Sequence, residues 1–361
     1  MSESSSFTVM RLVEARNLLP MKALQISTVG SPLEPVTLPD PEPGPGEVVV
    51  RIEAAGICRS DVHYRSGHRR IPGVPLVPGH EVAGSIVAVS DGVPRDRVGQ
   101  RVCLHYLVTC GHCAPCLRGA EQFCTVGQMI GLDRQGGYAE AITVPAVNAV
   151  VIPPSVSTEA AAVMMCSTVT VLHALRRGAF QPGERVAVLG VGGLGISAVQ
   201  VAMALGAGAV YAVDINPVKR SAAERLGAIP IDGAGDVVAA LRSAGGVDVA
   251  LELVGIADLV RVGVASLAPG GRVVAVGITT DEFGLDPFRD LVLAERSVIG
   301  SADHLASEVN EVLALAESGR IDLGAAITAR VPLEAGAVNA AMDRLERFGD
   351  DIRTVITRDA G

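Results

Sequence analysis

The chain has 361 residues, enough for two domains that each bury a core of their own. Apolar residues make up 49% and charged ones 19%, a globular composition rather than a disordered one. The net charge of −9, with no basic run, argues against a nucleic-acid partner.

Residues 1–21 carry Glu3, Arg11, Glu14 and Arg16 and lack the apolar run of a secretory signal, so a cytoplasmic protein is expected. Met21-Lys22-Ala23-Leu24 reads as the first natural strand, leaving residues 1–20 as an extension. Residues 22–57 look like β structure, with a strand at 48–52 entered through a Pro- and Gly-dense loop at 39–46. Further strands are expected at 82–89 and 101–104. Between the strands lie Cys58-Arg59-Ser60-Asp61-Val62-His63 and Pro78-Gly79-His80-Glu81. Thiolate and neutral imidazole are ligands that zinc prefers, and a catalytic zinc takes three protein ligands and keeps a fourth position open. Cys58 and His80 are candidates for two of the three, and Cys166 is the best candidate for the third.

Cys110, Cys113, Cys116 and Cys124 follow, spaced x2, x2 and x7. Two C-x2 steps let the backbone curl until successive thiolates face one tetrahedral ion, so a structural zinc is expected. Disulfides are the bland alternative, disfavoured inside a cell and between cysteines this close; an iron–sulfur cluster is another, since thiolates suit it too. Residues 136–153 return to strand-like sequence and end at Pro153-Pro154. Residues 158–177 have the length and Ala content of one helix, with Cys166 in its middle. Taken alone, Cys166 is more often a buried small hydrophobe than a ligand, and that bland reading is accepted for Cys103.

Residues 186–213 contain no charged side chain and are long enough to span a bilayer. Glycines at 190, 192, 193, 195, 206 and 208 favour a strand, a turn and a buried helix instead, so no membrane segment is expected. The strand 185–189 runs straight into Gly190-Val191-Gly192-Gly193-Leu194-Gly195, then a helix at 196–205, a strand at 210–213, and Asp214. Strand, glycines, helix and acid all fall where a dinucleotide fingerprint needs them. The helix N-terminus would meet a pyrophosphate, and Asp214 would accept from the adenosine ribose, favouring NAD over the 2′-phosphorylated NADP. More βα units follow, with strands at 228–231, 247–253, 272–277 and 298–300. Helices are expected at 308–318 and 335–348, and a last strand at 352–356.

These motifs, with Lys219, make the chain resemble the zinc-dependent alcohol dehydrogenases of the medium-chain dehydrogenase/reductase superfamily, from Met21 onward. The resemblance implies an α/β protein: a GroES-like, mostly-β catalytic domain over residues 1–167 with the zinc lobe at 110–124, a Rossmann doubly wound domain over 168–300, and a return to the catalytic domain over 301–361. It implies that Cys58, His80 and Cys166 hold a catalytic zinc, with Glu81 a carboxylate able to approach the metal and Asp61 orienting the histidine. Ser60 and His63 correspond to a proton relay, Arg59 and Arg353 to charges near the pyrophosphate, Thr170 to a residue by the nicotinamide, and Lys219 to one beside the ribose.

The expected function is NAD-dependent, reversible hydride transfer between primary or secondary alcohols and aldehydes or ketones, with two zinc ions per chain. A polyol, threonine or formaldehyde-type dehydrogenase is the nearest rival; polyol enzymes usually place Glu where Cys166 stands and often lack the four-cysteine lobe. A non-catalytic NAD- or zinc-binding protein of this fold is another rival, as is a quinone or enoyl reductase of the superfamily. Little room between Cys124 and Gly136 for the long loop of dimeric relatives points to a homo-tetramer. Gly277-Ile278 and Leu104-His105-Tyr106 are the expected substrate walls.

Overall fold

The computed structural model describes residues 20–358; the extension expected at residues 1–20 lies, but for Pro20, outside the described residues. Two sheets carry the architecture. The first is six parallel strands in the spatial order Ile229–Asp232, Ala209–Asp214, Arg185–Leu189, Val247–Glu252, Leu267–Ala275, Ser297–Gly300. Numbered along the chain this order is third, second, first, fourth, fifth, sixth, the doubly wound arrangement. A parallel sheet covered by helices on both faces is buried on both faces, so its strands read as continuous apolar runs. Val186, Ala187, Val188 and Leu189 are accordingly fully buried. The strand order reverses between Arg185–Leu189 and Val247–Glu252, opening a crevice at their carboxyl ends, which is where ligands of such sheets bind.

The second sheet is mostly antiparallel and centres on the strand Glu47–Ile57. Glu81–Val89 and Ala141–Pro145 pair with it, and Arg101–Leu104 and Ala149–Val151 extend the sheet beyond Glu81–Val89. On the other side the chain's last strand, Arg353–Thr357, lies antiparallel to Glu47–Ile57 and parallel to Ile327–Val331. This is the GroES-like part of the fold, beside the Rossmann-like sheet. One apolar cluster runs from Leu24 through Leu172 to Val274 and Ile356, so both sheets share a core.

The single helix expected over 158–177 is two, Thr158–Met164 and Ser167–Arg177. Ser167 Oγ donates to the Val163 carbonyl at 2.7 Å, and Met165 N–H reaches back only to Ala162. A serine that bonds the carbonyl four residues back bends its helix, and the bend falls at Cys166. By length and apolarity this stretch could cross a membrane, but most of it is buried inside the fold. The apolar run 186–213 is strand, turn, helix and strand.

Candidate active site

The strand Glu47–Ile57 ends one residue before Cys58, and the helix Arg59–Ser66 begins one residue after it. That helix buries only Val62 and Tyr64 as apolar side chains, and its ends fix it as well. Asp61 Oδ2 accepts from the Cys58 backbone N–H at 3.0 Å, and Gly67 closes the far end in the left-handed region, φ 81°. Asp61 is wholly buried and its carboxylate is saturated. It also accepts from Gly79 N at 3.2 Å and Tyr138 Oη at 3.0 Å, and it pairs with His80 Nδ1 at 3.3 Å. A carboxylate on Nδ1 assigns the ring proton there and leaves Nε2 as a lone-pair donor. His80 Nε2 is buried and has no hydrogen-bond partner.

That orphaned nitrogen stands among sulfurs. Ligand atoms of Cys58, His80, Glu81 and Cys166 all lie within 4.8 Å of one another, and the Cys58 and Cys166 Sγ atoms are 3.8 Å apart. Zinc–sulfur bonds of about 2.3 Å at tetrahedral angles put two thiolates about 3.8 Å apart, so the donors fit one zinc. The bend between the two helices places Cys166 at the start of Ser167–Arg177, beside Cys58. The Cys166 hydrogen bond and His80 hold the Cys58 thiol well below its usual 9.0 against the opposing effect of burial, while Cys166 is pushed up. Burial alone would lower His80, but the charge and hydrogen bond of Asp61, then Cys58, outweigh it and raise the ring to about 10, so a metal at Nε2 would displace a proton from it. Glu81 pairs instead with the guanidinium of Arg353, and both are buried.

Cys58 and His80 line a pocket of about 400 Å³, together with Cys166, Ser60, His63 and Thr170. Ser60 and His63 sit three residues apart, on one face of Arg59–Ser66. Burial, then Arg59, lowers the His63 ring below 6.5, leaving a neutral imidazole at neutral pH. Of the expected walls, Gly277, Ile278 and Tyr106 line the pocket. Leu104 and His105 do not: both are buried, and His105 stacks behind Tyr106, with ring centroids 6.2 Å apart.

The pocket shares Cys58, Arg59, Leu194, Leu253 and Val254 with a second cleft of about 610 Å³. Gly190, Gly192, Gly193 and Gly195 line that cleft, as do Asp214 and Lys219. Gly190 turns the chain at φ +95°, and a side chain on Gly195 would strike the Gly190 carbonyl. The helix Gly193–Ala204 opens without a side-chain cap, so its first N–H groups are available to an anion in the cleft. Asp214 holds the turn as well, accepting from Val191 N and Asn216 N, each at 2.8 Å. Burial lowers Lys219, with Asp214 opposing. Arg59 lies 3.8 Å over the Phe348 ring and donates to the Leu345 carbonyl at 2.7 Å. Arg353 lines the same cleft from the far side of Gly193.

Cys110, Cys113, Cys116 and Cys124 also bring their sulfurs within 4.8 Å of one another. Neighbouring Sγ atoms stand 3.4–4.0 Å apart, far beyond the ~2.05 Å of a disulfide. The spacing is that of four thiolates around one tetrahedral ion, whereas a cluster spreads its thiolates over several irons. Backbone N–H groups of Cys116 and Thr125 lead in drawing the Cys113 thiol down to about 6. Cys103 is apart from both groups, buried, with its thiol pushed up to about 12 by that burial.

Sequence reasoning missed Tyr138, Asp303 and His304. Tyr138 supports Asp61 from 77 positions away, and no local motif announces it. Tyr106 Oη donates to Asp303 Oδ1 at 3.1 Å, and His304 Nδ1 lies 3.4 Å from both Tyr106 Oη and Thr170 Oγ1. The only signal in Ser301-Ala302-Asp303-His304 is polar residues directly after a strand of the parallel sheet, where ligands gather.

Fold and site geometry are those expected of the zinc-binding dehydrogenases with a doubly wound sheet. The family profile described as alcohol dehydrogenase GroES-like domain matches residues 44–154, and that described as zinc-binding dehydrogenase matches residues 193–318. An alcohol dehydrogenase of Geobacillus stearothermophilus is 36% identical over 344 residues, 94% of this chain and 100% of that protein. A cobalt- and zinc-bound thermostable alcohol dehydrogenase from Pyrobaculum aerophilum superposes with a TM-score of 0.84 at 33% identity, covering 93% of this chain and 99% of that one. An E. coli CFT073 alcohol dehydrogenase complexed with NADH gives 0.87 at 27% identity, covering 94% and 99%. The chain belongs to the zinc-dependent alcohol dehydrogenase family of the medium-chain dehydrogenase/reductase superfamily.

Proposed function

We propose that the protein is an NAD-dependent, zinc-containing alcohol dehydrogenase that interconverts primary or secondary alcohols with aldehydes or ketones. What carries the reading is the meeting of Cys58, His80 and Cys166 in the wall of a pocket continuous with a glycine-lined cleft. Zinc held by those three side chains would supply Lewis acidity towards a carbinol oxygen, and the nicotinamide a hydride acceptor.

The chain's own residues do the rest. Asp61 fixes the His80 ring so that Nε2 faces the metal position. The Ser60 hydroxyl takes the carbinol proton and passes it to His63, which is neutral at neutral pH and half-exposed, so the proton leaves to solvent. Leu194, Leu253, Val254 and Val276 keep water from the reacting carbon. Thr170 borders the nicotinamide, while Arg59, Arg353 and the N-terminus of Gly193–Ala204 meet the pyrophosphate. Asp214 and Lys219 flank the adenosine ribose, where the carboxylate would repel a 2′-phosphate. A second zinc on Cys110, Cys113, Cys116 and Cys124 is structural. We further infer division into catalytic residues 1–167 and 301–361 and Rossmann residues 168–300, with assembly of the cytoplasmic protein as a homo-tetramer.

Elemental analysis and an alcohol panel test this directly. Two zincs per chain and alcohol-dependent NADH formation are expected, with turnover abolished but cofactor binding kept in Cys58→Ala and His80→Ala. A wild type faster with NADP refutes the account of Asp214. A zinc-replete protein inactive on alcohols with both cofactors refutes the whole reading.

A further inference from the structure

The substrate pocket holds one acid. Asp303 lines it with the metal-facing residues and, among the described residues, is the only carboxylate in its wall. It is half-buried, and among the described residues no salt bridge reaches it. Oδ1 accepts from Tyr106 Oη at 3.1 Å, and among the described residues no donor reaches Oδ2. Tyr106 in turn stands edge-on to the His80 ring, with centroids 5.3 Å apart. One tyrosine therefore separates this carboxylate from the metal-facing histidine.

The helix that follows does not use the acid as a cap. The helix Ala306–Glu317 starts three residues later, and its first N–H groups are already served: Leu305 N donates to Glu308 at 2.8 Å and Ala306 N to Glu121 at 2.9 Å. Asp303 sits at φ +51°, a left-handed conformation that Asp adopts more readily than most residues.

We propose that Asp303 determines specificity, and that the substrate carries a hydrogen-bond donor besides the reacting carbinol, a second hydroxyl or an ammonium group, for this carboxylate to accept. The inference rests on the alcohol dehydrogenase reading above and names its substrate class. Elsewhere in the wall Met129, Leu194, Leu253, Val276 and Ile278 are apolar, Ser60, His63 and Thr170 serve the relay and the nicotinamide, and Arg69 and Ser301 are polar but carry no negative charge. An alcohol without a donor would cover Asp303 and leave the charge unpaired, and sites built to hydrogen-bond a substrate group discriminate strongly against analogues that lack it.

Three alcohols sharing one secondary carbinol test the idea on the zinc-replete enzyme: 2-propanol, 1,2-propanediol and 1-amino-2-propanol. In wild type, kcat/KM for at least one donor-bearing alcohol should exceed that for 2-propanol by tenfold or more. Asp303→Leu should bring both ratios to within about threefold of unity. Asp303→Asn keeps an acceptor without the charge. It should preserve a preference for the diol and lose one for the amino alcohol, which separates the two donors. The readout is a ratio within each variant, so a general fall in rate does not imitate the effect, and the wild-type ratios decide even if the leucine variant fails to fold. Wild-type ratios at or below unity, or ratios that survive in Asp303→Leu, overturn the role of Asp303 and leave the alcohol dehydrogenase reading intact. Failure to oxidise any alcohol with either NAD or NADP overturns both.

Discussion

Asp61 is the residue on which the metal-facing geometry turns. Its four partners come from the helix start, the loop before His80 and a tyrosine far along the chain, so the carboxylate sets the ring angle and tautomer of His80 together. Removing such a support costs about 10–100-fold in metal affinity. Asp61→Asn keeps the shape but offers an amide where three donors and the ring N–H need an anion. It should release one zinc equivalent per chain to a chromophoric chelator at about 10–100-fold lower chelator strength than wild type. Unchanged release would mean that Cys58 and Cys166 position the ion alone. Legibility at this scale followed distance along the chain. Cys58 and His80 sit in short motifs and could be read locally. Cys166, read alone, was more often a small hydrophobe; it was a candidate only because a third ligand was wanted, and the family resemblance then supported it. Tyr138 and Asp303 were beyond reach, because their contacts span 77 and 197 positions and nothing in the neighbouring residues encodes them.

Elements with a strong apolar period were read to within a few residues, as Ala209–Asp214 and Val247–Glu252 illustrate. Elements held by their ends were not. The helix Arg59–Ser66 has no apolar stripe, and its cap uses a cysteine, which is no ordinary capping residue. The four-cysteine lobe is the extreme case. It contains a one-turn helix, Ala114–Leu117, a 3-10 turn, Glu121–Phe123, and the two-residue strands Leu107–Val108 and Gln128–Met129; neither helical piece buries any residue. Leu117, Phe123 and Val126 are exposed. With so little apolar burial, the thiolate cage is what orders this segment, as in small structural zinc modules. Cys116→Ser should therefore remove one zinc and raise amide hydrogen exchange across residues 107–129. The strands of both sheets should stay protected and far-UV circular dichroism nearly unchanged. Exchange confined to background levels would show that the lobe is held by its packing instead.

At the scale of the whole molecule, one side chain ties the parts together. Arg353 opens the chain's last strand, which pairs with Glu47–Ile57, and no pattern within 353–357 dictates that remote partner. Its buried guanidinium pairs with Glu81, the first residue of Glu81–Val89, and occupies the space a side chain on Gly193 would need. The glycine turn, the metal-facing strand and the C-terminus thus meet on one cation. A pyrophosphate at the N-terminus of Gly193–Ala204 would compete with Glu81 for it, and a released Glu81 carboxylate already stands within the donor cage. Removing one partner of a buried pair leaves an uncompensated charge and costs about 3–5 kcal/mol, whereas removing both costs less. Arg353→Met should therefore destabilise the protein far more than Glu81→Gln with Arg353→Met, giving a coupling of about 0.5–3 kcal/mol in a double-mutant cycle read by urea denaturation. NADH affinity separates the two roles of the arginine. Glu81→Gln leaves the guanidinium free for phosphate and should tighten NADH binding, while Arg353→Met should weaken it whether or not Glu81 is changed. Additive stabilities would dissolve the pair as a structural tie, and NADH affinities indifferent to Arg353 would remove it from the cofactor site.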